Sequence, residues 1–291
     1  MTRRTLLILL SVLGTILLGT TILLTSISLF LRIDASAYLT EEDIPWPDPP
    51  DNVSSVPLPG ERIPRILHQT WKEETLPEKW ASVSEGCREL MPDYAYMLWT
   101  DAASRSFIEE HYPWFLLTFD GYPYPIMRAD AIRYFVLYHY GGTYLDLDVG
   151  CKRRLDRLLS YPAVLPKTIP VGVSNDLMLS APRHPFMRRA IDSLQSFDHT
   201  WMMNYPTVMF STGPMFISSI YGLYTSVSGY PRTLEGEVRV LPKSLYGKNA
   251  SPEEAPHAFF EHYYGSSWHS DDAGLVLFLG SYGTLIMYIS L

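Results

Sequence analysis

Residues 5–31 contain neither a charge nor a proline, and this run constrains the topology of everything that follows it. At roughly 1.5 Å per helical residue it exceeds the ~30 Å hydrocarbon core of a bilayer, so it can span a membrane with some tilt. Arg3 and Arg4 precede it, which favours a cytosolic N-terminus and carries the rest of the chain to the far side. A cleaved signal peptide is the rival reading, and Ala35-Ser36-Ala37 resembles a cleavage site. Signal cores, however, run to only about 7–15 residues, so an uncleaved anchor is expected. Asn52-Val53-Ser54 is a glycan acceptor triplet usable only in the secretory lumen. Residues 274–291 form a second uncharged apolar run, interrupted by Gly274, Gly280 and Gly283. A second membrane span and a buried closing element are both open for it, with the span preferred.

The 47% apolar content supports a substantial core. The 23 basic residues against 31 acidic ones give a net charge of -8; with no basic patch, nucleic acid is excluded as a partner. Cys87 and Cys151 are the two cysteines, and a single bridge and two free thiols are both open. The expected organisation is a cytosolic stub and signal-anchor over 1–32, then a luminal stem over 33–60. Six prolines in that stem (Pro45, Pro47, Pro49, Pro50, Pro57 and Pro59) bar helix and central strand alike. One catalytic-sized domain over 61–272 and the apolar segment 273–291 complete the chain.

Inside the domain, strand-like runs alternate with helical patterns. Ile66-Leu67 and the stretch from Tyr94 to Trp99 have strand composition. Thr100-Asp101 offers an N-cap to a helix that should stop before Pro113. Over residues 127–140, Ile132, Phe135, Val136 and His139 mark one buried helical face, ended by Gly141-Gly142. Thr143-Tyr144-Leu145, Val171-Gly172-Val173 and Leu177-Met178-Leu179 are further strand candidates. The alternation predicts an α/β fold with a mostly parallel sheet, with ligands beyond the C-terminal ends of its strands.

Asp146 and Asp148 fall at such an end. Two apart on an extended backbone, their side chains leave the same face and can converge on one cation. Carboxylate pairs of this kind hold Mg²⁺ or Mn²⁺ and leave positions for diphosphate oxygens. Alone, Asp-x-Asp also fits a solvated loop. Here a helix carrying Arg128, Asp130 and Arg133 feeds through the glycine pair directly into it. Asp130 and Arg133, at i and i+3, can pair with each other or bind sugar hydroxyls and diphosphate.

Three segments together, Arg65-Ile66-Leu67-His68-Gln69-Thr70-Trp71, Arg128-Ala129-Asp130-Ala131-Ile132-Arg133-Tyr134 and Gly141-Gly142-Thr143-Tyr144-Leu145-Asp146-Leu147-Asp148, resemble glycosyltransferase family 32. That family includes the fungal initiating α-1,6-mannosyltransferases and the mannosyltransferases of inositol phosphorylceramide, and the resemblance covers residues 62–272. It implies a GT-A type, Rossmann-like nucleotide-sugar-binding domain behind the transmembrane anchor. It also implies a GDP-mannose donor, a Mn²⁺ or Mg²⁺ cofactor and retention of anomeric configuration. Carried over, Asp146 and Asp148 would bind metal and diphosphate, and Asp130 and Arg133 would contact the donor sugar. His68 and Trp71 would belong to the first nucleotide-binding loop, Asn175 and Asp176 to a segment near sugar and acceptor, and Thr212-Gly213-Pro214 to a site-lining turn. Ser267 and Trp268 would help bind the donor, and His269 would be a third metal or diphosphate contact.

The expected activity is therefore transfer of mannose from GDP-mannose to inositol phosphorylceramide at the Golgi membrane, where a regulatory membrane subunit is a further candidate partner. The alternative acceptor is a protein N-glycan, through α-1,6-mannosyl transfer. Asp146-Leu147-Asp148-Val149 also resembles the nucleophile motif of haloacid dehalogenase-like phosphatases. That motif opens its domain, whereas this one lies mid-domain behind an arginine-rich helix. A glycolipid-binding accessory protein without turnover would be favoured by loss of either carboxylate, and both are present. The aromatic stretch from Tyr112 to Phe119, with Tyr122 and Tyr124, suits either the core or a membrane interface.

Overall fold

The computed structural model describes residues 2–44, 60–169, 171–226 and 235–265. The acceptor triplet at Asn52, the prolines of 45–59 and the second apolar run at 274–291 lie outside these residues. The apolar N-terminal run forms helix α1 (Arg3–Phe30), capped by Thr2, whose hydroxyl accepts from the Thr5 amide. None of its residues is buried, and its mean hydropathy of 2.5 suits a membrane span. An apolar helix that packs on the domain through its last residue, Phe30, has the character of a membrane anchor.

The chain enters the domain immediately after α1. Leu31, Ile33, Leu39 and Ile44 are buried, and the Leu39 amide donates to the Val240 carbonyl at 2.9 Å. The elements that follow are β1 (Ile66–Thr70), α2 (Glu78–Leu90), β2 (Ala95–Trp99), α3 (Asp101–His111), α4 (Leu116–Gly121), α5 (Pro125–Tyr140) and β3 (Gly142–Leu145). Then come β4 (Val149–Cys151), β5 (Ala163–Pro166), β6 (Leu177–Ser180), α6 (Pro185–Ser193), α7 (Asn204–Ser211), α8 (Pro214–Ser226), β7 (Arg239–Leu241), α9 (Lys243–Tyr246) and β8 (Phe260–His262). Six strands form one sheet in the order β2-β1-β3-β6-β5-β7. Parallel pairing joins β1 to β2, β1 to β3 and β5 to β7, while β6 runs antiparallel to both its neighbours. The mostly parallel α/β architecture is as the alternating pattern predicts.

Local chemistry explains these elements. Thr100 caps α3 by accepting from the Ala103 amide, and the helix stops at His111, before Pro113. Pro125 opens α5 at a position where its missing N–H costs nothing. The chain then reverses at Gly141 (φ 69°) and Gly142 (φ 100°). A Cβ on Gly141 would sit 2.7 Å from Pro182, and one on Gly142 would sit 2.8 Å from the Ile66 carbonyl. Both backbone angle and space therefore demand glycine at this turn.

Two expectations need correcting. α5 does not present a single buried face: residues from Asp130 to Tyr138 are buried in succession, because the helix is enclosed by the sheet and by neighbouring helices on its other sides. Val171-Gly172-Val173 is not a strand, since Gly172 adopts φ 87° and Val173 makes only a single bridge to Lys167. The aromatic stretch divides: Tyr112, Phe115, Phe119 and Tyr122 are buried, whereas Trp114 and Leu117 point outward.

Cys87 of α2 and Cys151 of β4 are joined in a disulfide across 64 residues, which ties α2 to the short two-stranded antiparallel β4–β8 sheet beside the acidic loop. Closing a loop of this length should stabilise the fold by about 2–4 kcal/mol. Cys87→Ser is expected to lower denaturation stability by that amount, and a fully thiol-reactive wild-type protein isolated without reductant would contradict the pairing.

Candidate active site

The parallel strand β3 ends at Leu145, and the next residues form the acidic loop. The Asp146 amide donates to the Asp176 carbonyl at 2.8 Å, and the Val149 amide to the Asp146 carbonyl at 3.0 Å, so residues 146–149 make a tight turn between β3 and β4. Asp148 is held from the other side. Its carbonyl accepts from the Tyr263 amide at 2.9 Å, and its Oδ2 accepts from the Gly265 amide at 2.6 Å.

Beneath this turn lies Arg133, projecting from α5 and only 3% exposed at its side chain. Its Nη2 meets Asp130 Oδ1 at 3.0 Å and its Nη1 lies 3.3 Å from Asp146 Oδ1. Nη1 also donates to the Asn175 carbonyl at 2.7 Å. The guanidinium stacks over the Tyr144 ring, 4.5 Å from its centroid. Tyr144 Oη donates to Asp146 Oδ1 at 2.7 Å and stands 2.9 Å from the Thr70 hydroxyl. Asp130 is satisfied in turn by Asn175 Nδ2 at 3.0 Å and the Thr212 hydroxyl at 3.1 Å. One buried cation thus connects α5, the acidic loop and the segment before β6.

Both loop carboxylates face a cleft of about 540 Å³. Its walls include Trp71, Trp80, Arg128, Arg133 and Gly265, together with Phe119, Tyr124, Asn204, Tyr205 and Val208. Burial pushes the Asp146 carboxyl up to about 7; Arg133 opposes the rise, while Asp148 and Asp176 add to it. The same side chain is still 31% exposed, so ions in the cleft can reach it. Arg133 and Tyr144 answer only part of the charge that Asp146 and Asp148 bring together, and the remainder, at an open, oxygen-lined position, is what a hard divalent cation relieves. Asp146 and Asp148 therefore fit as ligands for Mn²⁺ or Mg²⁺.

A second cluster stands behind the first. Lys248 Nζ bonds Asp176 Oδ2 at 2.6 Å. Burial works to raise the Asp176 carboxyl, but Lys248 and the nearby His262 bring it down to about 2. Lys248 is held above its ordinary range because Asp176, Asp146 and Asp148 outweigh its burial. Tyr246 packs against His262, their rings 4.6 Å apart. No motif marks Lys248, Tyr246 or His262 in the sequence; a lysine just after a helix-ending glycine gives no local sign that it reaches the acidic loop.

The expected site residues fall into three groups. Asp146, Asp148, Arg133 and Trp71 line the cleft, and the Trp71 indole N–H has no acceptor among the described residues. Asp130, Asn175, Asp176 and His68 are buried. His68 accepts from Trp99 Nε1 at 3.0 Å through Nδ1 and meets the Gly141 carbonyl at 2.9 Å through Nε2, which sets its tautomer. Burial lowers its pKa to about 4, so it is a neutral brace for the glycine turn. Thr212 is buried behind Asp130. Ser267, Trp268 and His269 lie outside the described residues; Gly265, just before them, touches Asp148.

Comparison with known proteins gives the family. Residues 77–165 match the family described as glycosyltransferase sugar-binding region containing DXD motif. The chain is 48% identical over 238 residues to mannosyl phosphorylinositol ceramide synthase SUR1 of Saccharomyces cerevisiae, covering 82% of this chain and 58% of that one. It is 44% identical over 252 residues to inositol phosphoceramide mannosyltransferase 2 of Schizosaccharomyces pombe, covering 85% and 70%. The chain belongs to the family of DXD-containing glycosyltransferases that these inositol phosphoceramide mannosyltransferases represent. It spans a little under two thirds of the length of the Saccharomyces relative. Among solved structures, the PaToxG glycosyltransferase is 17% identical with a TM-score of 0.43, over 63% of this chain and 76% of that one.

If Arg133 is the structural pin of this site, removing its charge leaves the buried Asp130 carboxyl, whose pKa burial already raises, without its cation. Arg133→Met is then expected to cost about 3–5 kcal/mol in chemical denaturation. A loss below about 1 kcal/mol, the range of a surface pair, would contradict the role.

Proposed function

We propose that this chain transfers mannose from GDP-mannose to inositol phosphoceramide, with net retention at the anomeric carbon, at the luminal face of the Golgi membrane. The observation that carries the reading is the 44–48% identity to inositol phosphoceramide mannosyltransferases over 82–85% of this chain. The apolar helix α1 supports it, because a lipid acceptor and a membrane-tethered domain share one surface. A domain over 61–272 carries the activity, and a regulatory membrane subunit belongs to the same reading.

In this scheme Asp146 and Asp148 hold a divalent cation, which would neutralise the charge growing on the departing nucleotide diphosphate. His269 is its proposed third protein contact, and Ser267 and Trp268 contact the donor. Arg133 and Tyr144 keep the Asp146 carboxylate turned toward the cleft, and Arg133 adds positive potential beside the donor phosphates. Trp71 and Trp80 offer apolar faces on which a nucleobase can stack. Asp130, Asn175 and Asp176 shape the sugar end of the site from behind its wall, and His68 fixes the turn that delivers β3 into it.

Asp148→Ala tests the assignment directly. Losing one of two metal carboxylates removes several kcal/mol of charge stabilisation, so mannose transfer should fall on the order of 10²–10³-fold. Stability should change by no more than about 1 kcal/mol, since the lost bond from the Gly265 amide is offset by relief of the repulsion between Asp148 and Asp146. Undiminished transfer by the purified full chain would refute the role, and transfer to a protein N-glycan but not to the lipid would replace the acceptor.

A further inference from the structure

Two segments form the lip of the cleft, and they have opposite characters on their two sides. Phe119, Tyr124, Asn204, Tyr205 and Val208 face inward and line the cavity. On the outside, Leu117 is 87% exposed and Met202 105%, and Trp114, Trp201 and Phe210 are each about half exposed. These residues belong to one surface. Gln195 Nε2 donates to the Thr118 hydroxyl at 3.2 Å, Tyr124 Oη bonds Asn204, and the Trp201 and Phe210 rings lie 5.8 Å apart. Soluble monomers rarely leave so many large apolar side chains together in water.

The membrane anchor identifies what covers them. Phe30, the last residue of α1, packs on Gly222 of α8, where an added Cβ would come 2.9 Å from its ring. Leu31 and Ile33 are buried directly afterwards, so no free linker separates helix from domain. α8 in turn packs along α7. With 13 residues in α8 and about 1.5 Å per residue, the exposed side chains around α7 lie within roughly one helix length of the point where the chain leaves the bilayer.

We propose that Trp114, Leu117, Trp201, Met202 and Phe210 seat this lip of the cleft in the lipid interface. Tryptophan favours the headgroup level, where its ring is apolar and its N–H wet, and leucine, methionine and phenylalanine favour the acyl boundary below. The cleft then opens at the height of lipid headgroups, so that a lipid-borne acceptor reaches it without leaving the bilayer. The seating rests on the anchor and the exposed side chains; only the identity of the acceptor rests on the proposed function.

The test uses the full chain in phosphatidylcholine nanodiscs carrying acyl chains brominated near the glycerol end. Tryptophan fluorescence should be quenched, and the Trp114→Phe/Trp201→Phe double variant should lose at least about half of the quenchable signal. An unchanged quenched fraction overturns the inference and assigns this surface to protein contacts. In the second arm, Leu117→Asp/Met202→Asp should lower transfer to inositol phosphoceramide embedded in bilayers about tenfold or more. The same variant should match the wild type with detergent-dispersed acceptor and in GDP-mannose binding. Equal rates in bilayers and detergent overturn the inference. If the wild type transfers nothing to this lipid in either format, the proposed function fails and the quenching alone decides the seating.

Discussion

The structure is organised around one buried guanidinium. Arg133 is desolvated on every side, and a charge in that position survives only if its hydrogen bonds and counter-charges are supplied. Asp130, Asp146 and the Asn175 carbonyl supply them, and each comes from a different part of the chain. The consequence reaches the cleft directly, because Asp146 shares its Oδ1 between Arg133 and the Tyr144 hydroxyl. A loop that would otherwise be a flexible acidic turn is thereby given one orientation. Asp148, fixed through its carbonyl and through the Gly265 amide, faces the same space.

Much of this was readable from residue patterns alone, and the reasons are local. The glycine pair that ends α5 and the N-cap at Thr100 each leave a signature within a few residues. The two aspartates after β3 are legible as a pair, but not by strand alternation: residues 146–149 form a turn, and that turn with its ties to Asp176, Tyr263 and Gly265 brings both side chains to the cleft. The direction of Asp130 and Arg133 was not legible, since an i, i+3 ion pair has the same spacing on a solvated face as in a core. The all-round burial of α5 was hidden for a related reason: apolar periodicity records the most hydrophobic face and misses helices enclosed on every side. His68 lies in the matching motif yet is tied to Trp99 and Gly141. Lys248 and the Cys87–Cys151 bridge depend on contacts across 72 and 64 residues, a separation at which local pattern carries nothing.

Anchor and site are mechanically continuous. Because Leu31 and Ile33 are buried and Phe30 packs on Gly222 of α8, helix α1 joins the domain without a free linker, and α8 packs along α7 beside the cleft. The charge of the site follows the same logic of enclosure. Asp146 is pushed up to about 7 by burial, with Asp148 and Asp176 adding to the rise, whereas Lys248 holds Asp176 near 2. Two carboxylates of one cluster are thus driven apart: Asp176 is ionised and paired with Lys248, while the raised Asp146 carboxyl is the one that the proposed function gives to a cation in the cleft.

The central claim is that Arg133 turns Asp146 beside Asp148 to make one cation position at the cleft. Crystals of the full chain grown with Mn²⁺ and GDP test it most directly. The account requires manganese anomalous density between the two carboxylates, with Arg133 still bonded to Asp130 and the Asn175 carbonyl. Manganese bound away from both aspartates, or an Arg133 side chain released from Asp130 while the ion is in place, would contradict it.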